Sequence, residues 1–422
     1  MIHYMTTQGI GNAWVANELR IVTRAGIPVR LHALRGSGRR LFSSEWAADM
    51  DRSTRVLYPI RPLAMVVSLL LAPMLFGARF LTAMANALFG QRENNRTRVA
   101  SLGHLLAAIH WARGLRRDPV THIHSQWIHS GGTVAMYGAW LLGVPFSFTG
   151  HATDLFRDRC ALRDKIRRAR FIICISEFHR RFFLEQGARP EQLHVAYCGI
   201  DVDRMAPRNT PRRDGPFHIL STGRLVEKKG FEHLIDACAI LTRRGRDFRC
   251  TIGGSGELRE SLEERIRLQG LSDRVRVTGE ELRQEDIPAF MHTGDAYVLA
   301  CVWARDGDVD GLPQMTMEAM ACGLPAVTTR LVGNPDLVIH EQTGLLVSPG
   351  NAEELADAIQ RLMDDPVLAE RLAKAGREWI RERFDIERCL EPLISQFRRV
   401  LADASQEAIP AATAGAGAEG TS

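Results

Sequence analysis

Short β-branched runs alternate with helical patterns along nearly the whole chain, and that alternation restricts the fold more than any other feature of the sequence. Strands separated by helices return in the same direction and build parallel αβ sheets. The spacing predicts strands at Ile2–Met5, Val29–Leu34, Arg55–Leu57, Val120–His124, Pro145–Thr149, Phe171–Ile175 and Leu193–Ala196 in the first half. A second series follows at Phe217–Ser221, Arg249–Ile252, Val275–Thr278, Ala296–Leu299 and Ala326–Thr328. Helical patterns lie between them, among them Trp14–Arg24, Thr133–Leu142, Phe231–Arg243, Glu257–Gln269 and Met315–Ala321, and they continue beyond Ala352 to about Ala402. A chain of 422 residues is too long for one core and suits two domains, each a doubly wound Rossmann-like sheet, with a cleft between them. Both halves carry the same punctuation: Gly143 then Pro145, and Gly323 then Pro325, where a left-handed glycine ends a helix and proline blocks its continuation.

The expected division is residues 1–202 as the first domain and 203–216 as a hinge rich in Pro, Arg, Asn and Gly. Residues 217–385 then form the second domain, 386–404 a last helix returning toward the first, and 405–422 a disordered tail with too little bulky apolar surface to offset ordering entropy.

The apolar fraction of 45% and charged fraction of 24% exclude a disordered or collagen-like chain. A net charge of +5 favours anionic partners without naming them. Clusters such as Arg212-Arg213 and Arg398-Arg399 lack interleaved stacking aromatics, so they read as solvated faces and nucleic acid is not an expected partner. The eight cysteines form no C-x-x-C pair and sit in apolar contexts such as Ile172-Ile173-Cys174-Ile175, which fits free thiols in a reducing compartment. The N-terminus does not run basic, apolar, then small as a signal peptide does, so the expected location is cytoplasmic. Leu63–Phe89 carries one charge, Arg79, and is interrupted by Pro73 and Gly77. Three readings stand: a buried helical pair, a hairpin lying in one leaflet, and a membrane span.

Chemistry concentrates in the second half. In Ser221-Thr222-Gly223-Arg224-Leu225-Val226-Glu227-Lys228-Lys229-Gly230-Phe231 a strand ends, Gly223 permits close backbone approach, Arg224 and Lys229 supply fixed positive charge, and a helix begins. That arrangement suits a diphosphate or, more plainly, a basic surface turn. Gly253-Gly254-Ser255-Gly256 repeats the strand-to-helix turn, with the amides near Gly254 and Gly256 able to meet a ligand or merely to turn the chain. Farther on, Asp306-Gly307-Asp308-Val309-Asp310-Gly311-Leu312-Pro313 forms an irregular loop in which Pro313 fits the first turn of a helix whose free amides point back toward the loop. Within that helix Glu318 stands in an apolar stretch. A buried carboxylate needs a donor, either paired ribose hydroxyls or an internal cation such as Arg305 or Arg330.

These segments resemble the C-terminal signature of the retaining GT-B glycosyltransferases of family four. Gly223 to Gly230 matches G-R-L-x-x-x-K-G, and Glu318 to Pro325 matches E-A-M-A-x-G-x-P. The resemblance implies a nucleoside diphosphate sugar donor, no metal or other cofactor, and a glycan or lipid-linked acceptor held by the N-terminal domain. It implies roles for Arg224 and Lys229 on the diphosphate, for Glu318 on the ribose, and for the loop at Gly311, Leu312 and Pro313. The family's paired acids are Asp310 and Glu318 here, the first one methylene shorter than usual. Phe148-Thr149-Gly150-His151-Ala152-Thr153-Asp154 looks like the family's F-x-x-H-x-x-D segment, which implies His151 at the donor sugar. Gly9 and Gly11 occupy the turn that relatives place near phosphates and acceptor, though the glycines are not adjacent here. His122, His124 and His129 invite a zinc reading, since i and i+2 on a strand share a face, yet the segment also looks like the family's H-I-H-x-x-W, with His124 near the cleft. Exopolysaccharide enzymes of the colanic-acid type look most similar. A same-fold sugar-nucleotide epimerase and a non-catalytic sugar-nucleotide binder are the rival functions, the latter motivated by Asp310.

Overall fold

The computed structural model describes residues 1–11, 13–38, 44–207 and 215–407. Residues 208–214 of the expected hinge, residues 408–422 of the expected tail and Asn12 lie outside them.

Two parallel sheets account for the alternation. The first has seven strands, β1 (Ile2–Gln8), β2 (Val29–Arg35), β3 (Arg55–Val56), β4 (His122–Ser125), β5 (Phe146–Gly150), β6 (Ala169–Cys174) and β7 (Leu193–Val195), in the order β3-β2-β1-β4-β5-β6-β7. Its helices are α1 (Ala13–Arg24), α2 (Glu45–Arg52), α3 (Pro62–Phe76), α4 (Ala78–Phe89), α5 (Asn95–Leu115), α6 (Ser130–Leu142), α7 (Leu162–Arg168) and α8 (Glu177–Glu185). The second sheet has six strands, β8 (Phe217–Thr222), β9 (Phe248–Gly253), β10 (Val275–Val277), β11 (Ala296–Leu299), β12 (Ala326–Thr329) and β13 (Leu345–Val347), in the order β10-β9-β8-β11-β12-β13. Helices α9 (Phe231–Arg243), α10 (Arg259–Leu268), α11 (Ile287–Met291), α12 (Gln314–Ala321), α13 (Asn334–Leu337), α14 (Ala352–Asp364), α15 (Pro366–Arg383) and α16 (Ile386–Glu407) complete the second half.

In each sheet the strand order reverses once, between β1 and β4 and between β8 and β11. Such reversals open a crevice at the strands' carboxyl ends. β13 has no counterpart in the sequence reading, because Leu345–Val347 is only three residues long and follows a turn rather than a helix. The glycine punctuation holds: Gly143 caps α6 at φ 72° and Gly323 follows α12 at φ 83°. α16 is longer than expected and takes in residues 405–407. Gln406 and Glu407 are good helix formers, so the last turn forms without the apolar side chains that the tail argument required.

By its contacts the chain divides into two compact units. One comprises Met1–Phe148, Arg167–Phe171 and the chain from Pro392, and the other comprises Thr149–Ile166 and Ile172–Glu391. In the first unit the Ser147 hydroxyl bonds both His122 Nε2 (2.6 Å) and His124 Nδ1 (2.8 Å). Phe171 stacks on His122 with centroids 5.4 Å apart, and Phe397 of α16 stands edge-on to His124 at 5.2 Å. Burial, and then Arg170, push His122 down to about 3, so the ring is neutral. His129 caps α6, its Nδ1 accepting from the Ser130 amide at 2.6 Å. These histidines are thus core and capping residues rather than a zinc set, and no group of His, Cys, Asp and Glu among the described residues is arranged to hold a metal. His124 is fully buried within this core. All eight cysteines are free, and all but Cys198 are buried.

α3 and α4 are a helical pair, and among the described residues no helix is long and apolar enough to cross a membrane. The pair is only half buried. Ser68, Ala72, Phe76, Phe80, Ala83 and Ala87 face inward, whereas Leu63, Leu70, Met74, Leu81 and Phe89 are exposed.

Candidate functional site

The second unit assembles the site from three turns at the carboxyl ends of β8, β9 and β11. The Gly223 turn after β8 and the Gly254 turn after β9 are zipped together: the Gly223 amide donates to the Gly253 carbonyl (3.0 Å), Leu225 to Ser255 (2.8 Å) and Leu258 back to Leu225 (3.0 Å). Gly254 has φ 138°, and a methyl group there would sit 1.9 Å from the Gly223 carbonyl oxygen. Only glycine allows this approach. Gly223 itself lies against the Lys229 side chain.

The third turn, after β11, carries Asp306, Asp308 and Asp310, and each carboxylate meets a cation. Lys228 Nζ lies 3.0 Å from Asp308 Oδ2 and 3.3 Å from Asp310 Oδ1. Lys229 Nζ bonds the other oxygen of Asp310. Arg157 reaches Asp306 at 3.2 Å and Asp308 at 3.4 Å, and Thr153 donates to Asp308 at 2.9 Å. Burial alone raises the pKa of Asp310, but the two lysines outweigh it and hold the carboxyl below its ordinary range. Burial likewise works against the Lys229 ammonium, and Asp310 more than restores it, so its pKa ends above the ordinary value. Both groups are charged across the physiological range. Cys301 Sγ, 3.8 Å from Asp310, is driven up by burial and by that carboxylate, and remains a thiol.

Glu318 on α12 is 5% exposed, and its Oε2 has no hydrogen-bond partner among the described residues. Burial pushes it up to about 7, opposed by Arg204. Neither internal partner considered from sequence is the answer: Arg305 pairs with Glu227 at 3.4 Å, and no ion pair joins Glu318 to Arg330 among the described residues. The Glu318 and Asp310 charges both bear on Tyr297, whose hydroxyl donates to the Thr222 carbonyl at 3.1 Å. Burial raises the Tyr297 pKa, and these carboxylates add to it.

Gly311 joins this loop to the turn after β5. A methyl group there would stand 3.0 Å from Ile175 Cδ1, 3.1 Å from His179 Cε1 and 3.2 Å from Ala152 Cβ. His151, next to Ala152, is 6% exposed, and its carbonyl accepts from the Leu155 amide at 3.1 Å. Leu312 and Pro313 are buried, with Pro313 as the N-cap of α12. Arg224 is exposed and lines a cavity of about 360 Å³ with Arg157, Lys228, Ser255, Glu257 and Glu281.

The structure therefore brings Gly223, Lys229, Gly254 and Asp310 into one cluster, with Arg224 acting on Lys229 and Glu318 sharing Tyr297 with Asp310. Gly256 closes the same turn pair, its would-be methyl 2.6 Å from the Leu225 carbonyl oxygen. Gly9 and Gly11 belong to the first unit, where both take left-handed φ (49° and 86°) in the turn after β1. Asp51 anchors that turn, accepting from the Ile10 amide at 2.9 Å and from the Ser37 hydroxyl at 2.5 Å. Sequence reasoning gave no role to Lys228, Asp308 or Arg157. Their partners lie up to 151 residues away along the chain, so no local pattern announces them.

Residues 83–204 match the family model described as Glycosyltransferase Family 4, and residues 203–379 match the one described as Glycosyl transferases group 1. The amylovoran biosynthesis glycosyltransferase AmsK of Erwinia amylovora is 35% identical over 45% of this chain and 47% of its own, so the chain spans about half the length of that relative. The alpha-D-kanosaminyltransferase of Streptomyces kanamyceticus is 30% identical over 71% of this chain and 82% of its own. Among solved structures, Anabaena HepE in complex with UDP-glucose superposes with a TM-score of 0.64 at 17% identity, covering 95% of this chain and 99% of that one, a likeness of fold. Two Rossmann-like sheets, the two matching family models and a relative matched along most of its length place this chain in glycosyltransferase family four, with the GT-B fold.

Proposed function

We propose that the protein transfers a sugar, with retention of anomeric configuration, from a nucleoside diphosphate sugar to a glycan or lipid-linked acceptor in cytoplasmic polysaccharide assembly. The observation that carries this reading is Glu318, a carboxylate buried on α12 with an oxygen that no group among the described residues satisfies. A buried acceptor of this kind is costly unless a ligand supplies donors, and paired ribose hydroxyls do so. The name of AmsK, for amylovoran biosynthesis, supports the polysaccharide setting, and the UDP-glucose bound to HepE supports the donor class.

On this reading Arg224 and Lys229 face the diphosphate, and the backbone at Gly223, Gly254 and Gly256 lets it approach. His151, Asp310 and the Gly311-Leu312-Pro313 segment meet the donor sugar, while Gly9 and Gly11 serve the acceptor side. Positive charge stabilises the leaving diphosphate as the anomeric carbon–oxygen bond breaks. The acceptor oxygen forms its bond to that carbon from the same face, and its proton passes to a phosphate oxygen of the departing nucleotide. Retention without an enzyme nucleophile fits Asp310, because a carboxylate with a lysine on each oxygen is poorly nucleophilic. The same pairing leaves the Asp306–Asp310 loop ill suited to hold a metal. Titration calorimetry with UDP and GDP tests the assignment. Wild type is expected to bind one of them, and Glu318→Gln to weaken it by about tenfold or more, the worth of a charged hydrogen bond. Equal affinity in the two proteins contradicts the ribose role.

A further inference from the structure

We propose that the exposed face of α3 and α4 rests on an anionic bilayer surface, with the two helices lying along the interface rather than crossing it. Leu63, Val66, Leu70 and Met74 recur at intervals of three and four on α3 and are 75, 52, 74 and 76% exposed. On α4, Leu81 and Phe89 are 63% and 82% exposed. The opposite faces are committed to the core through Ala72, Phe76, Phe80, Ala83 and Ala87, so the outward stripe is not material for the unit's own packing. Both helices are too short to span. Fifteen residues rise about 22 Å, less than the roughly 30 Å of a hydrocarbon core.

Charge selects the occupant. From residue 55 to residue 117 the sequence holds nine arginines and a single acid, Glu93. Arg61 caps α3, Arg79 opens α4, Arg96 opens α5, and Arg116 and Arg117 close it, all five exposed. Arg113 donates to Ser68 Oγ on the buried side of α3 at 3.1 Å, which packs α5 and its arginines beside the apolar pair. A second copy of the chain would set this arginine rim against itself, whereas a membrane of acidic lipids offers both an apolar layer and negative charge. Apolar insertion and basic attraction are the two signals that stable interfacial binding requires. This inference is independent of the reaction assigned above, and it provides a way for a lipid-linked acceptor to be met.

Co-sedimentation of the full-length protein with vesicles tests it. Wild type should pellet with mixed phosphatidylglycerol and phosphatidylcholine at low salt and much less with phosphatidylcholine alone. Leu70→Glu with Met74→Glu should lower the partition coefficient by about tenfold or more, and Arg61→Glu or Arg96→Glu by roughly fivefold each, a difference from wild type that shrinks as salt screens the attraction in all of them. All these positions are exposed, and unchanged circular dichroism and melting verify folding. Three results would overturn the proposal: wild type remaining in the supernatant at low salt, variants that pellet as wild type does, or a solution dimer that Leu70→Glu with Met74→Glu dissolves without any effect on vesicle binding.

Discussion

Glu318 and Lys228 illustrate what a single position reveals. Glu318 drew notice in the sequence because a carboxylate interrupts an apolar helix, and the structure confirms the burial while removing both internal partners considered for it. Its consequence for pH can be signed. The folded pKa, about 7, lies above the ordinary glutamate value of 4.5, so the folded chain holds a proton that the unfolded chain releases. Stability from this group is complete below about pH 4.5, declines as pH rises to about 7, and stays reduced above that. Glu318→Gln should therefore raise the melting temperature at pH 8 in the absence of nucleotide, by an amount worth about 2–3 kcal/mol, and change little at pH 4.5. A thermal melt at the two pH values checks this, and an equal shift at both would show that the effect is not titration. Lys228 is the opposite case. Among 54 basic residues only four are lysines, and two of them are adjacent at 228 and 229, a bias toward a compact ammonium that is visible in the sequence yet meaningless without Asp308. Lys228→Met should destabilise the fold by about 1–2 kcal/mol, because Asp308 keeps Arg157 and Thr153 and Asp310 keeps Lys229, and what is lost is the ammonium that bridges the two carboxylates. In Lys229→Ala, by contrast, Lys228 remains 3.3 Å from Asp310 to hold it, so the fold should survive and turnover should fall about a hundredfold. Denaturant titration separates the two variants.

At the scale of elements, the sequence conveyed existence well and partnership poorly. Strands with β-branched runs such as Phe217–Thr222 and helices with a clear apolar stripe such as Phe231–Arg243 were legible within a residue or so. The short β13 was not, because three apolar residues after a turn carry no periodicity. The three glycine-bearing turns could each be recognised as turns, but the hydrogen bonds that zip the Gly223 and Gly254 turns together connect residues about 30 apart and depend on β8 pairing with β9. Hence Gly254→Ala should disturb both turns at once. It is expected to cost about 2–3 kcal/mol of stability through backbone strain and to abolish measurable nucleotide binding. If the variant melts as wild type does and binds nucleotide normally, the turns are not coupled in the way described. The α3 and α4 pair shows the other limit. Uniform hydrophobicity hid which side faces the core, so Phe76 and Phe80 could not be told from Leu70 and Met74 before the packing was known.

For the whole molecule, the strand alternation correctly announced two parallel sheets, while the chain's crossings between compact units were not written in any local pattern. Thr149–Ile166 belongs by its contacts with the C-terminal residues, and the link is made by particular atoms such as Thr153 on Asp308 and Ala152 against Gly311. The charge arrangement of that unit leads to an expectation for the proposed reaction: since Arg157, Lys228 and Lys229 already occupy the Asp306–Asp310 loop, transfer should persist after exhaustive EDTA treatment and gain nothing from manganese or magnesium. Loss of activity on chelation, restored by either ion, would assign the aspartates to a metal instead. The central claim, that this chain moves a sugar from a nucleotide donor by means of the cationic turn after β8, is tested most directly with a panel of radiolabelled sugar nucleotides and a lipid-linked acceptor fraction. The account predicts transfer of label from one donor with release of its nucleoside diphosphate, reduced about a hundredfold in both Arg224→Ala and Lys229→Ala while both proteins stay folded. Transfer at near wild-type rates in the two folded variants, or no transfer and no diphosphate release from any donor, would contradict it.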